Sequence, residues 1–318
     1  MAGNTVSRPQ VICLMGPTAS GKTDIAIELS EQQNCELVSV DSAMVYRGMD
    51  IGTAKPDAET LQRAPHRLVD ILDPWESYSA GDFCNDAVTA INEIIEAGKT
   101  PLLVGGTMMY FHALQVGMAE LPEADAELRK DIDARAAESG WPALHAELAE
   151  RDPEAAEKIR PNDAQRIQRA LEVIYLSGEK ISVLQQDTRP PIEAEFLNVG
   201  IMPADRGLLH SRIEQRFELM LEQGFEQEVR GLLALPEMSP NVPAMRAVGY
   251  RQMLEYINGE TDIGEATRRA VVATRRLAKR QMTWLRSMPQ TRYVDIGKGS
   301  AIEAIAELFP EAGDKLPK

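Results

Sequence analysis

Val11-Ile12-Cys13-Leu14-Met15-Gly16-Pro17-Thr18-Ala19-Ser20-Gly21-Lys22-Thr23 decides how this chain is read. A short apolar run ends at a glycine. Five residues later a second glycine is followed by Lys22 and Thr23, and a helical pattern begins at Asp24-Ile25-Ala26-Ile27-Glu28-Leu29. Strand, glycine-bounded loop and helix with the spacing G-x-x-x-x-G-K-[ST] form a phosphate-binding loop. The glycines let successive backbone N–H groups turn inward onto an anion. The helix start adds unpaired donors and the positive end of its dipole. Lys22 supplies a mobile cation, and the Thr23 hydroxyl is placed to ligate Mg²⁺ beside a bound di- or triphosphate such as ATP. Residues 16–23 are therefore the predicted diphosphate or nucleotide site, with Mg²⁺ as cofactor.

Around this loop the first 115 or so residues alternate strand and helix patterns, the rhythm of an α/β fold with a parallel sheet. Strand patterns fall at 36–40, 67–71 and 101–104. Ser79-Ala80-Gly81-Asp82 opens a helix with a capping-box pattern, and Gly98 is placed to close it. In such sheets ligands collect beyond the carboxyl ends of the strands, which predicts that the loop at 16–23, the segment from Asp41 and Thr107 lie together. From about 121 to 191 only short, polar helix patterns occur, at 125–139, 141–151, 153–160 and 162–177. This reads as a helical insertion (121–191) in a catalytic core made of 1–120 and 192–318. A strand at 195–201 is followed by helices at 204–223, 225–235, 251–257, 263–287 and 301–308.

Composition narrows the function. The 318 residues are 44% apolar, enough for a sizeable core. No window approaches a membrane span, and the polar start predicts a cytoplasmic protein without a signal segment. Cys13, Cys35 and Cys84 are scattered, as are His66, His112, His145 and His210, so neither a disulfide framework nor a zinc site is expected. A net charge of −15 argues against indiscriminate nucleic-acid binding. Yet Arg268, Arg269, Arg275, Arg276, Lys279, Arg280 and Arg286 crowd one stretch that holds no acid, which points to an anionic partner.

Asp41, directly after a strand that faces the loop, is suited to ligate Mg²⁺ through water or to act as a general base. These features alone leave three readings open. One is a kinase acting on a small molecule, another a nucleotide-dependent RNA-binding switch, and the third a group transferase acting on RNA.

Further segments carry a resemblance. After the loop come Val40-Asp41-Ser42-Ala43, Tyr46-Arg47-Gly48-Met49-Asp50-Ile51-Gly52-Thr53-Ala54-Lys55-Pro56 and Gly105-Gly106-Thr107-Met108-Met109-Tyr110. Arg246-Ala247-Val248-Gly249-Tyr250-Arg251-Gln252-Met253 and Ala278-Lys279-Arg280-Gln281-Met282-Thr283-Trp284-Leu285-Arg286 follow. In this order they resemble the tRNA dimethylallyltransferase (tRNA isopentenyltransferase) family in its bacterial form, from residue 11 to about 287.

The resemblance implies that N6 of adenosine 37, beside the anticodon of tRNA, attacks C1 of dimethylallyl diphosphate and releases diphosphate. It implies Asp41 as the base, with Thr107 at the channel between the substrates. Arg216 joins Lys22, the loop and Mg²⁺ on Thr23 in neutralising the leaving group. The implied tRNA contacts are Asp41, Ser42, Ala43, Met44, Thr107 and Arg129, then Gln165, Arg166, Ile167, Gln168 and Arg169 on a helix capped by Asn162. To these are added Arg246, Ala247, Val248, Gly249, Tyr250 and Arg251, with Tyr250 as a stacking aromatic, and the run Lys279, Arg280, Gln281, Met282, Thr283, Trp284, Leu285 and Arg286. Met44 departs from the Gln or Leu common in relatives. A monomer is expected.

Overall fold

The computed structural model describes residues 8–203, 205–294 and 301–309. Six strands form one sheet: β1 (Gln10–Met15), β2 (Cys35–Val40), β3 (His66–Arg67), β4 (Thr100–Gly105), β5 (Glu195–Ile201) and β6 (Arg292–Val294). Their order across the sheet is β3-β2-β4-β1-β5-β6, and every pairing is parallel. This is the α/β architecture with a parallel sheet that the sequence predicts.

Side chains on β1 alternate between two cores, as strand geometry requires. Val11, Cys13 and Met15 face helices Ala80–Glu96 and Met108–Val116, whereas Ile12 and Leu14 face helix Lys22–Gln32. Buried on both faces, β1 is apolar throughout its centre, the pattern of an inner parallel strand. A third core joins Val45, Tyr46 and Met49 of the segment after β2 to the helices Arg206–Glu222, Phe225–Leu233, Tyr250–Ile257 and Ile263–Ser287. That core matters for function, because it seats the long segment that Asp41 begins.

The chain divides into two compact units, Met1–Gln115 with Pro191–Lys318, and Val116–Pro190. The second unit is wholly helical apart from an isolated bridge between Met118 and Arg189. Its helices Ala126–Ser139, Trp141–Arg151, Pro153–Lys158 and Ala164–Ser177 enclose a core of Ile132, Leu144, Leu148, Ile167 and Leu171.

Several local expectations hold and others need correction. Ser79 and Asp82 form the reciprocal capping box, and Gly98 closes that helix at φ 72°. The strand expected at 67–71 stops at Arg67, because Leu68 and Asp70 adopt left-handed φ of 62° and 55°. The chain turns there so that Asp70 N–H donates to Met44 O (3.2 Å) and the Asp70 carboxylate accepts from Lys55 Nζ (2.5 Å). The helix at 164–177 is capped not by Asn162 but by Asp163, which accepts from Arg166 N–H at 3.3 Å. β6, at the sheet edge, carries no apolar run and was not expected.

Candidate active site

Three strand ends build the site. β1 runs into Gly16, β2 into Asp41 and β4 into Gly106-Thr107. Register places Met15 and Val40 on either side of Gly105. A Cβ on Gly105 would collide with the Val40 carbonyl, so only glycine lets the strand ends come this close. Gly16 N–H donates to Gly105 O (3.3 Å), Thr107 N–H to Val40 O (3.3 Å) and Ser42 N–H to Thr107 Oγ1 (3.2 Å). The juxtaposition of loop, Asp41 and Thr107 expected from the sequence is thus present as a hydrogen-bonded set.

The loop has the strained geometry its chemistry needs. Ala19 takes φ 60° and Gly21 φ 81°, and helix Lys22–Gln32 begins without a side-chain cap. Its first N–H groups are thereby left for an anion. Ser20 is buried, and its Oγ has no partner among the described residues. Lys22 Nζ donates to Pro17 O at 3.4 Å and makes no ion pair among the described residues. Burial lowers its pKa to about 8, with Asp41 opposing that shift and Arg216 adding to it. Burial also lowers the pKa of Arg216, against the attraction of Asp41 and Asp24. Two cations with neither fully neutralised mark a place prepared for a strongly anionic ligand.

Asp41 Oδ1 accepts from Ala43 N–H (2.9 Å) and Met44 N–H (3.3 Å), which fixes the carboxylate and leaves Oδ2 free among the described residues. Thr107 Oγ1 accepts from Ser42 N–H, so its own proton remains available to a substrate. Lys22, Thr23, Asp41, Thr107 and Arg216 all line one cavity of about 550 Å³.

The far side of the cavity rests on a carboxylate that sequence reasoning missed. Glu228 accepts from the N–H groups of Asp50 (3.0 Å), Ile51 (2.6 Å) and Gly52 (3.1 Å), and from the Tyr250 hydroxyl (2.6 Å). Lys55, its side chain only 2% exposed, bridges Asp50 and Asp70. Glu228 lies in an ordinary helical pattern, so nothing local in the sequence marks it.

The residues expected to meet RNA fall into distinct groups. Arg246, Arg251, Arg276, Lys279, Arg280, Thr283, Trp284 and Arg286 are exposed, as are Ser42, Gln165 and Arg166. Trp284 stands edge-on to His112, with ring centroids 6.0 Å apart. Ala43, Met44, Ala247 and Val248 are half-buried along the cavity.

Tyr250 is not a stacking platform. It is fully buried, edge-on to Phe225 at 5.0 Å, with its hydroxyl held by Glu228. Gly249 is buried beneath it, and Met282, Leu285 and Ile167 are core residues. Gln281 spends both ends of its amide inside the site, on Thr18 N–H and Gly106 O.

Three of the seven cations in the basic stretch are already paired from outside it: Arg268 with Glu265, Arg269 with Glu265 and Glu255, and Arg275 with Glu214. Arg216, two residues beyond Glu214 on the same helix, lines the cavity. In the second unit Arg129 (2.8 Å) and Arg169 (2.5 Å) share the buried Glu172, and Gln168 donates to Asp133 (2.6 Å). Glu172 thus holds two guanidiniums and, at 2.9 Å, the Asp125 N–H.

A family model described as IPP transferase matches residues 44–288, and another, described as isopentenyl transferase, matches residues 9–70. The chain belongs to the IPP transferase family. It is accordingly an enzyme of prenyl-group transfer, and the kinase and switch readings fall away.

The full-length tRNA isopentenylpyrophosphate transferase of Bacillus halodurans is 35% identical with a TM-score of 0.69, covering 94% of this chain and 95% of its own. The tRNA delta(2)-isopentenylpyrophosphate transferase of Staphylococcus epidermidis is 32% identical with a TM-score of 0.66, covering 94% and 97%. A eukaryotic dimethylallyltransferase acting on tRNA shares the fold at 24% identity, with a TM-score of 0.77 over 94% of this chain and 77% of its own.

Proposed function

We propose that this enzyme transfers the dimethylallyl group of dimethylallyl diphosphate to N6 of adenosine 37 in the anticodon loop of tRNA. The observation that carries this reading is the hydrogen-bonded junction of Asp41, Thr107 and the phosphate loop, which offers a base and a diphosphate cradle in one cavity. The nitrogen of N6 bonds to C1 of the isoprenoid, the C1–O bond breaks, and its electrons leave with diphosphate. An adenine amino group is weakly nucleophilic because its lone pair is delocalised into the ring. It therefore needs a base for its proton and a neutralised leaving group. Asp41 Oδ2 takes the proton, and the Thr107 hydroxyl steers the base. Lys22, Arg216 and the loop N–H groups hold the diphosphate as its charge grows.

Mg²⁺ fits this arrangement only as a partner of the substrate. Among the described residues no cluster of three or more His, Cys, Asp or Glu side chains could hold an ion unaided. Thr23, at the first turn of helix Lys22–Gln32, would share it with diphosphate oxygens and water, the usual manner of magnesium. The ion would add positive charge to the departing diphosphate.

Arg246, Arg251, Arg276, Lys279, Arg280 and Arg286 would hold the tRNA backbone, with Arg129, Arg166 and Arg169 contributing from the second unit. Taking the adenosine out of its stack is inexpensive in a single-stranded loop, costing on the order of a few kcal/mol. We take the enzyme to act as a monomer. Among the described residues no helix is long and apolar enough to cross a membrane, and we place the reaction in the cytoplasm.

A coupled phosphate assay tests the reading. Diphosphate should be released from dimethylallyl diphosphate only when unmodified tRNA is present. Release at the same rate without tRNA would count against transfer.

A further inference from the structure

We infer that Gln281 is a positioning residue of the diphosphate loop and not an RNA contact, so that the basic helix and the loop form one hydrogen-bonded unit. The inference rests on the transferase reading for the identity of the anion, but its observations are independent of that reading. Gln281 lies on helix Ile263–Ser287 between exposed Arg280 and buried Met282. It therefore sits at the border between the face turned to solvent and the face packed on the core. From there Oε1 accepts from Thr18 N–H at 2.9 Å, and Nε2 donates to Gly106 O at 3.0 Å.

These partners lie 263 and 175 residues away along the chain. One belongs to the phosphate loop after β1, and the other immediately precedes Thr107 after β4. A single amide thus adds a side-chain tie, beside the Gly16 N–H to Gly105 O bond, between the diphosphate cradle and the segment whose hydroxyl faces the acceptor. The approach is close enough to restrict the sequence: a Cβ on Gly106 would lie 2.5 Å from Gln281 Nε2.

Two consequences follow. Thr18 N–H is committed to Gln281 and Ser20 N–H donates to Pro17 O (3.3 Å), so the diphosphate is met by the remaining loop N–H groups and by Lys22. Turning the Gln281 side chain out to an RNA would break both bonds and take the partner from the half-buried Thr18 N–H and the buried Gly106 carbonyl, whereas the neighbouring Arg280 is already exposed.

Gln281→Met keeps the length of the side chain and removes both hydrogen bonds. Inorganic pyrophosphate binding by calorimetry and tRNA binding by filter retention, each on the intact protein, separate the two roles without needing turnover. Gln281→Met should weaken pyrophosphate about tenfold, the fold-change expected for one or two lost hydrogen bonds, and leave tRNA affinity within about twofold.

Lys279→Ala, one residue upstream of Arg280, should do the reverse. Retained tRNA affinity in Gln281→Met also shows that the helix is still folded. Weakened tRNA with unchanged pyrophosphate would overturn the inference. So would an equal loss of both, which would make Gln281 a general support of the helix, or no effect on either. A wild-type protein that binds both ligands yet forms no product would refute the transferase reading and leave this comparison intact.

Discussion

In the proposed reaction Asp41 and Lys22 divide the chemistry between them, one for the proton and one for the leaving group. Asp41→Ala should retain tRNA binding while kcat falls by about 10²–10⁴, the usual contribution of a positioned base. Single-turnover kinetics beside filter binding would show this, and near-normal kcat would remove Asp41 as the base. Lys22 gives a pH signature. Burial holds its pKa at about 8, so the free enzyme loses the ammonium as pH rises through 8. The value of kcat/KM for the diphosphate substrate should therefore fall above about pH 8, and Lys22→Arg should remove that limb.

Folding stability moves the other way. Between about 8 and 10.5 the unfolded chain binds the proton better, so the cost of the buried charge is relieved as pH rises through that window. At this scale the sequence was informative wherever a motif demands a conformation, as at Gly16–Thr23. It failed where family position stood in for burial. Tyr250, Met282 and Leu285 lie inside segments expected to meet tRNA, yet each points into the core. Glu228 left no trace, because a carboxylate that accepts three successive backbone N–H groups looks like any helical glutamate until the loop is folded onto it.

Elements with strong periodicity were legible, and those defined by long-range contact were not. β5 and helix Ile263–Ser287 follow the sequence pattern from end to end, whereas β3 is cut short by residues that turn to serve Lys55. The segment after β2 is seated by side chains from the third core, which makes Gly52 a sensitive position. A Cβ there would lie 2.6 Å from the Tyr250 ring and overlap Phe225. Gly52→Ala should cost about 1–3 kcal/mol by overpacking, read as a lowered Tm together with weakened diphosphate binding. A variant as stable as the parent would show that this packing yields without cost.

The basic helix invites a separate test. With Arg268, Arg269 and Arg275 already paired, Arg276 and Lys279 are exposed cations without an ion pair among the described residues. Neutralising both should reduce the slope of log K against log salt for tRNA by about 2. An unchanged slope would make them merely solvated charges.

For the molecule as a whole, the net charge of −15 concealed a division of labour. Acidic side chains outnumber basic ones 49 to 34 and pair with part of the basic helix, while Arg246 and Arg280 line the cavity. An overall negative protein with a local positive face repels nucleic acid in general and favours a partner whose shape brings phosphates to that face. The sheet order, with β4 between β1 and β2, gathers the ends of three strands around the diphosphate loop. That gathering is the physical basis of the proposed transfer.

The most direct measurement is nucleoside analysis by mass spectrometry after incubating the protein with Mg²⁺, dimethylallyl diphosphate and unmodified tRNA, beside the same tRNA carrying G37. The prenylated nucleoside should form from the A37 tRNA alone, with one equivalent of diphosphate released. Product on both tRNAs, or on neither while dimethylallyl diphosphate is consumed, would contradict transfer to N6 of adenosine 37.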